Sequence, residues 1–250
     1  MFAGKFFLVA FAFALVGCAM TSSGNFVGEA GALKYSTDGK KYRFAEAGLL
    51  FGENGDYKIH SPSNEKALIG QSVFIRPELF SLDYSLWGNR GGFFLSVPVT
   101  VPLDAGIRPS LVQWAGPFYA GAGVSFVGGF YPNLQDDDYE PKADDSWGRF
   151  DGFILYSLGG GFLLDVTEKF SLGAYMTWER VAFNSGGSVA NEILAENYPA
   201  YTNRKMVTTI GVQAYAKFKN PLRFYLEIAP GKLFQNDGVW KLKFGTVVLY

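Results

Sequence analysis

Three groups of residues in this chain could do chemistry. The first is "DDDYEPKADD", which gathers Asp136, Asp137, Asp138, Glu140, Asp144 and Asp145. Carboxylates at that density could hold calcium, but the stretch lacks the Asp/Asn spacing and the Gly of a calcium loop. A solvated loop is the better reading. The second is His60 in "IHSPSN", with Ser61 and Ser63 beside it. A histidine can serve as base toward a serine nucleophile. No orienting acid can be assigned to His60, and it precedes the clear strands, so a surface loop is again the better reading. The third is a set of charges of both signs, Glu179, Lys217, Arg223, Glu227, Lys241 and Lys243, all on one parity of alternating segments. Such groups neutralise one another if that parity faces a dry interior.

The rest of the composition removes other chemistries. One Cys excludes an internal disulfide and a cysteine metal cluster, and one His excludes the common multi-histidine zinc sites. Net charge is -1, so no basic face points to nucleic acid. No cofactor motif is present: Gly159, Gly160 and Gly161 lack phosphate-loop spacing and read as relief of crowding in a narrow interior. Charged residues make up 18%, aromatics 17%, and Gly occurs 31 times. That balance suits aromatic-rich strands joined by turns.

The elements that would position the charged set are strands. Residues 80–87, 92–103, 116–130, 149–164, 170–183, 205–218, 222–230 and 240–250 alternate with period two, separated by turn-forming or polar stretches. One parity carries Phe93, Leu95 and Val97, then Phe118, Val124 and Phe126, and further on Leu172, Met176, Phe224, Leu226 and Ile228, with no formal charge. The other holds Asp83, Asp151 and the charged set among Gly, Ser, Thr and Tyr. A charge facing lipid at midplane costs about 2–4 kcal/mol, which accounts for a charge-free row. These rows have the length of tilted membrane-crossing strands, and closure into a barrel leaves no edge unpaired.

Upstream, "YSTDGKKY" and "LFGENGDYKI" read as hairpins about Asp-Gly and Asn-Gly turns, with their place relative to the main sheet left open. Residues 104–115 read as a connection. Trp87, Trp178 and Trp240 read as one interfacial girdle, and Phe170, Phe218 and Tyr250 as the opposite one. At the other end of the chain, "MFAGKFFLVAFAFALVGCAM" has one cation, Lys5, before an apolar run with the length of a signal-peptide core.

"LVGC" (Leu15 to Cys18) resembles the lipobox of bacterial lipoproteins, which implies cleavage before Cys18 and a lipid on its sulfur. A conventional cut after Ala19 is the alternative. The closing stretch "KLKFGTVVLY" resembles the recognition signal of bacterial outer-membrane β-barrels, with Lys243, Gly245, Val248 and Tyr250 at the pattern positions. That resemblance implies engagement by the barrel assembly machinery and a location among outer-membrane lipids. It also implies a final strand ending in the periplasm. Counting back from there makes 131–148 and 184–203 external, and places "GNRG" on the external side and 104–115 on the periplasmic side. "GVW" (238–240) has the Gly-x-Trp form of lipocalins but opens the last strand, whereas that family carries it on the first.

The expectation is therefore all-β: an antiparallel up-and-down transmembrane barrel over residues 67–250, of eight strands, or ten if the early hairpins join. Residues 1–17 are expected to be a signal peptide and 18–66 a lipid-anchored segment with hairpins. The function expected is that of a non-enzymatic outer-membrane lipoprotein with a structural or surface-contact role. The alternatives are a barrel lipid hydrolase using His60 and a soluble, lipid-anchored binding protein of lipocalin type.

Overall fold

The computed structural model describes residues 24–36, 40–53, 69–101, 104–131, 149–184, 207–218, 221–229 and 240–250. Cys18, His60, the acidic stretch 136–145 and the side chain of Lys241 lie outside the described residues. One helix, α1 (Val27–Tyr35), precedes the strands β1 (Phe44–Glu53), β2 (Ile69–Leu86), β3 (Asn89–Ser96) and β4 (Val99–Val101). Then come β5 (Asp104–Ala115), β6 (Phe118–Tyr131), β7 (Arg149–Thr167), β8 (Phe170–Asn184), β9 (Val207–Ala216), β10 (Leu222–Ala229) and β11 (Trp240–Leu249).

Neighbours in sequence pair antiparallel around the ring, and β1 pairs with both β2 and β11, so the sheet closes. β3 and β4 are two parts of one stave, since both lie between β2 and β5. The barrel thus has ten staves, the larger of the two expected counts. The two additional strands are β1 and β5. The barrel begins at Phe44 rather than at residue 67, and 104–115 is wall rather than connection. Pro109 and Gly106 obscured β5, since proline cannot donate to a ladder and glycine gives no alternation.

Adding β5 reverses the polarity of everything before it. The connections 87–88, 116–117 and 168–169 and the stretch 217–221 now share one end, called here the turn end. Residues 54–68, 132–148, 185–206 and 230–239 connect strands at the other, the loop end, together with the short 102–103. "GNRG" therefore belongs with the tight turns. Trp87 and Gly88 both have positive φ (51° and 76°), the geometry of a two-residue hairpin matched to strand twist. Trp87 accordingly sits at the same end as Phe170, Phe218 and Tyr250, not opposite them. With Phe118 they form an exposed aromatic ring there.

The two parities separate as the charge pattern requires. Phe224, Leu226 and Ile228 are 40%, 42% and 40% exposed on the outer surface, while Arg223 and Glu227 are 0% and 1% exposed within. A lipocalin-type arrangement has the opposite sidedness and is excluded. Inside, tyrosines lie over glycines of the neighbouring strand. The ring of Tyr175 occupies the space a side chain on its partner Gly211 would need, and Tyr225 does the same over Gly245.

The reading of "YSTDGKKY" as a hairpin is corrected too: Lys34 and Tyr35 close helix α1. This helix shows no amphipathic period because it is surrounded. Val27, Gly28, Glu29, Ala30, Gly31, Ala32 and Leu33 are all buried, so no polar stripe alternates with an apolar one. It lies inside the barrel.

Candidate functional site

The lumen holds both the charged groups and helix α1, and the two are joined. α1 is poorly made for independent life. It has nine residues with Gly28 and Gly31 in its interior, and its N-cap, Phe26, makes no side-chain cap. Short uncapped helices with glycine are not stable in water. Glu29 in the first turn and Lys34 in the last suit the helix dipole, and Ser36 Oγ donates to Ala32 O at the C-terminus (2.7 Å). Most of its ordering must come from the wall.

Glu29 is the centre of that hold. Arg76 on β2 grips it with two parallel bonds, Nη1 to Oε1 at 2.7 Å and Nη2 to Oε2 at 3.1 Å. Arg108 on β5 donates from Nη1 to Oε1 at 2.8 Å, and Ser110 Oγ to the same oxygen at 3.2 Å. Glu29 and Arg108 are fully buried and Arg76 nearly so. Burial holds the Glu29 carboxyl above its ordinary range, and Arg76 offsets only part of that.

A second carboxylate steadies the clamp. Arg76 also donates from Nε to Glu46 Oε2 on β1 at 2.7 Å. Glu46 in turn accepts from Tyr225 and from Asn25 Nδ2, and its Oε1 lies 3.4 Å from Lys243 Nζ. Asn25 reaches Glu227 Oε2 at 3.4 Å, where Tyr175 OH donates at 3.1 Å.

Phe26 is held by shape. Gly121 and Gly159 face each other on β6 and β7, and a Cβ on either would lie 2.6 or 2.8 Å from the Phe26 ring. Arg108 covers the ring from the lumen side, 4.7 Å from its centre, a favourable cation–π placement. Toward the turn end, Trp114 Nε1 donates to Ala30 O at 3.2 Å, and Tyr35 stacks on Tyr215 with centres 4.1 Å apart. Lys34 donates to Leu163 O at 3.0 Å and pairs with Asp165 at 3.3 Å, as does Lys217 at 3.2 Å. Partial burial pushes Lys34 down and Asp165 pulls it up. Arg223 donates to Val27 O.

Of the charged set read from the sequence, Glu179, Arg223, Glu227 and Lys243 are buried in the lumen, and Lys217 sits half-exposed at the turn end. Glu179 lies against Gly24. The clamp itself, Glu29, Glu46, Arg76 and Arg108, was not among the residues singled out. Its signal was the repeated Arg-Pro of "IRPE" and "IRPS", where a charge adjoins a ladder-breaking residue. Of the terminal pattern, Lys243 and Gly245 face inward, while Val248 and Tyr250 are exposed. Among the described residues no group of His, Cys, Asp and Glu could hold a metal ion.

No protein-family model matches this chain, and no curated protein does. Among solved structures, the NanC porin in a rhombohedral crystal form aligns with 81% of this chain and 98% of its own, at 7% identity and a TM-score of 0.33. Engineered proteins of asymmetric conductivity and a mutant Rh. blastica porin align over 84% of this chain and 99% of theirs, at 7% identity and TM-scores of 0.23 and 0.22. Scores this low carry neither family nor function, and the fold stands on the closed strand ladder.

Proposed function

We propose that this chain is an outer-membrane barrel lipoprotein whose lumen is stoppered by its own helix α1, with a structural or surface-contact role rather than catalysis. The observation that carries the reading is the sidedness: apolar rows outside, ionised groups inside. Exposed Leu82, Ile107, Leu111, Leu158, Val212, Leu226 and Phe244 spread around the wall, a surface that water would not tolerate but acyl chains would. The aromatic ring at the turn end supports placing that end at an interface. The turn end is then periplasmic and the long connections external, the usual asymmetry. Barrel assembly machinery would engage β11 through Lys243, Gly245, Val248 and Tyr250. Cys18 would carry the lipid, as its lipobox resemblance implies. Nothing described favours a His60 hydrolase.

Detergent-purified protein tests this on a gel. A closed membrane barrel migrates as a compact species in cold SDS and shifts on boiling; identical migration before and after boiling overturns the reading. Incorporation of labelled palmitate that Cys18→Ser abolishes tests the anchor separately.

A further inference from the structure

We propose that the seat of Glu29 is a carboxylate-binding site of the lumen, with helix α1 as its built-in occupant. The barrel then takes up small carboxylate solutes when the helix is drawn aside. This rests on the membrane-barrel reading above and adds the ligand class.

The seat has the form of a receptor rather than of a chance ion pair. Two oxygens of one carboxylate meet the fork of Arg76, and one of them also meets Arg108 and Ser110. Paired parallel bonds from a planar guanidinium are how arginine recognises a planar two-oxygen anion. Arg76 has an anchor besides Glu29. Arg76 is held from behind by Glu46, at 2.7 Å through Nε and 2.5 Å through Nη2. Arg108 has further capacity, because its Nε and Nη2 have no protein partner among the described residues. A larger acid could use those donors as well.

The occupant is of the exchangeable kind. Among the described residues α1 shares no strand ladder with the wall, and its backbone is met by side chains such as Trp114 and Arg223. Segments without ladder bonds and without helical stability of their own belong to the first-opening parts of a protein. When Glu29 leaves, Arg76 retains Glu46, but Arg108 has no other carboxylate within salt-bridge distance among the pairs described. A buried unmatched guanidinium is costly, so a free carboxylate entering the lumen replaces what the helix supplied.

The test is conductance of the intact protein in planar bilayers, with cold-SDS migration as the check that each variant is a closed barrel. Two variants free the seat by different routes. Glu29→Ala removes the occupying group. Gly121→Leu fills the notch that holds Phe26 and displaces the helix, leaving both arginines. Each should conduct chloride where the parent is closed, and millimolar acetate should block that current. Adding Arg108→Met to Glu29→Ala should weaken the block about tenfold or more, as loss of a charge-assisted hydrogen bond requires. Open barrels that acetate does not block, or blocks equally without Arg108, overturn the proposal. So do compact barrels that stay closed in both variants. Protein that shows no heat-dependent migration and carries no current sinks the membrane reading first and this proposal with it.

Discussion

The two sides of the barrel wall are built differently. From β8 round to β11 the ladder is continuous: β8 and β9 pair without interruption from Phe170 with Ala216 to Glu179 with Val207, and β10 pairs with β9 and with β11 without a shift of register. From β2 to β5 it is broken three times. Pro77 lies beside the β2 bulge between Glu78 and Phe80, Pro98 separates β3 from β4, and Pro109 falls where β5 leaves its pairing with β6. The chain repairs part of the loss, since Val97 N donates to Pro77 O at 3.0 Å and Gly106 N to Pro98 O at 2.9 Å. The clamp arginines, Arg76 and Arg108, each immediately precede one of these prolines. The regular side meets the lumen with glycines and tyrosines and with Glu179, Arg223, Glu227 and Lys243. The broken side supplies the two arginines that grip Glu29.

That contrast can be tested by disturbing each side in turn. The largest effect is expected at the clamp on the broken side. Glu29→Ala strands Arg108 and should cost about 3–5 kcal/mol of stability, the usual penalty for halving a buried pair, read as a fall in the denaturant midpoint in detergent. Next come the outer faces, where the two sides should agree. Leu111→Arg on the broken side and Leu226→Arg on the regular side should each cost about 2–4 kcal/mol by the same measurement, since both meet lipid. A clear inequality would mean that only one side is embedded. Smaller again is the glycine notch: Gly159→Ala places a methyl against Phe26 and should cost about 1–3 kcal/mol through overpacking. It should also raise protease cleavage within 24–36. Least of all is Lys217→Ala at the turn end, where the half-exposed pair with Asp165 should be worth under about 1 kcal/mol.

The regular side was also the legible one. Its strands alternate cleanly, so sidedness, closure and the inward positions of Arg223, Glu227 and Lys243 followed from parity. On the broken side 80–87 and 92–103 were legible, but β5 was not, and for a physical reason. Gly106 and Pro109 interrupt the alternation that periodicity depends on, so β5 read as a connection, its loss costing one stave and inverting the turns upstream. Helix α1 stayed hidden for a different reason. Its nine residues carry no repeating stripe because the barrel surrounds them, and Gly28 and Gly31 argue against a helix in any other setting. The clamp inherits both difficulties, since Glu29 sits on the hidden helix and Arg108 on the hidden strand.

The seam between β1 and β11 has a consequence for how the molecule is made. Arg43 and Tyr250 exchange backbone bonds at 3.0 and 3.1 Å, so the ring shuts only when strands from opposite ends of the chain meet. Helix α1 is synthesised before any stave, yet its contacts reach as far as Arg223. The closed wall therefore holds a segment that precedes every stave in the chain, and Glu29 ties that segment to β2 and β5 through Arg76 and Arg108.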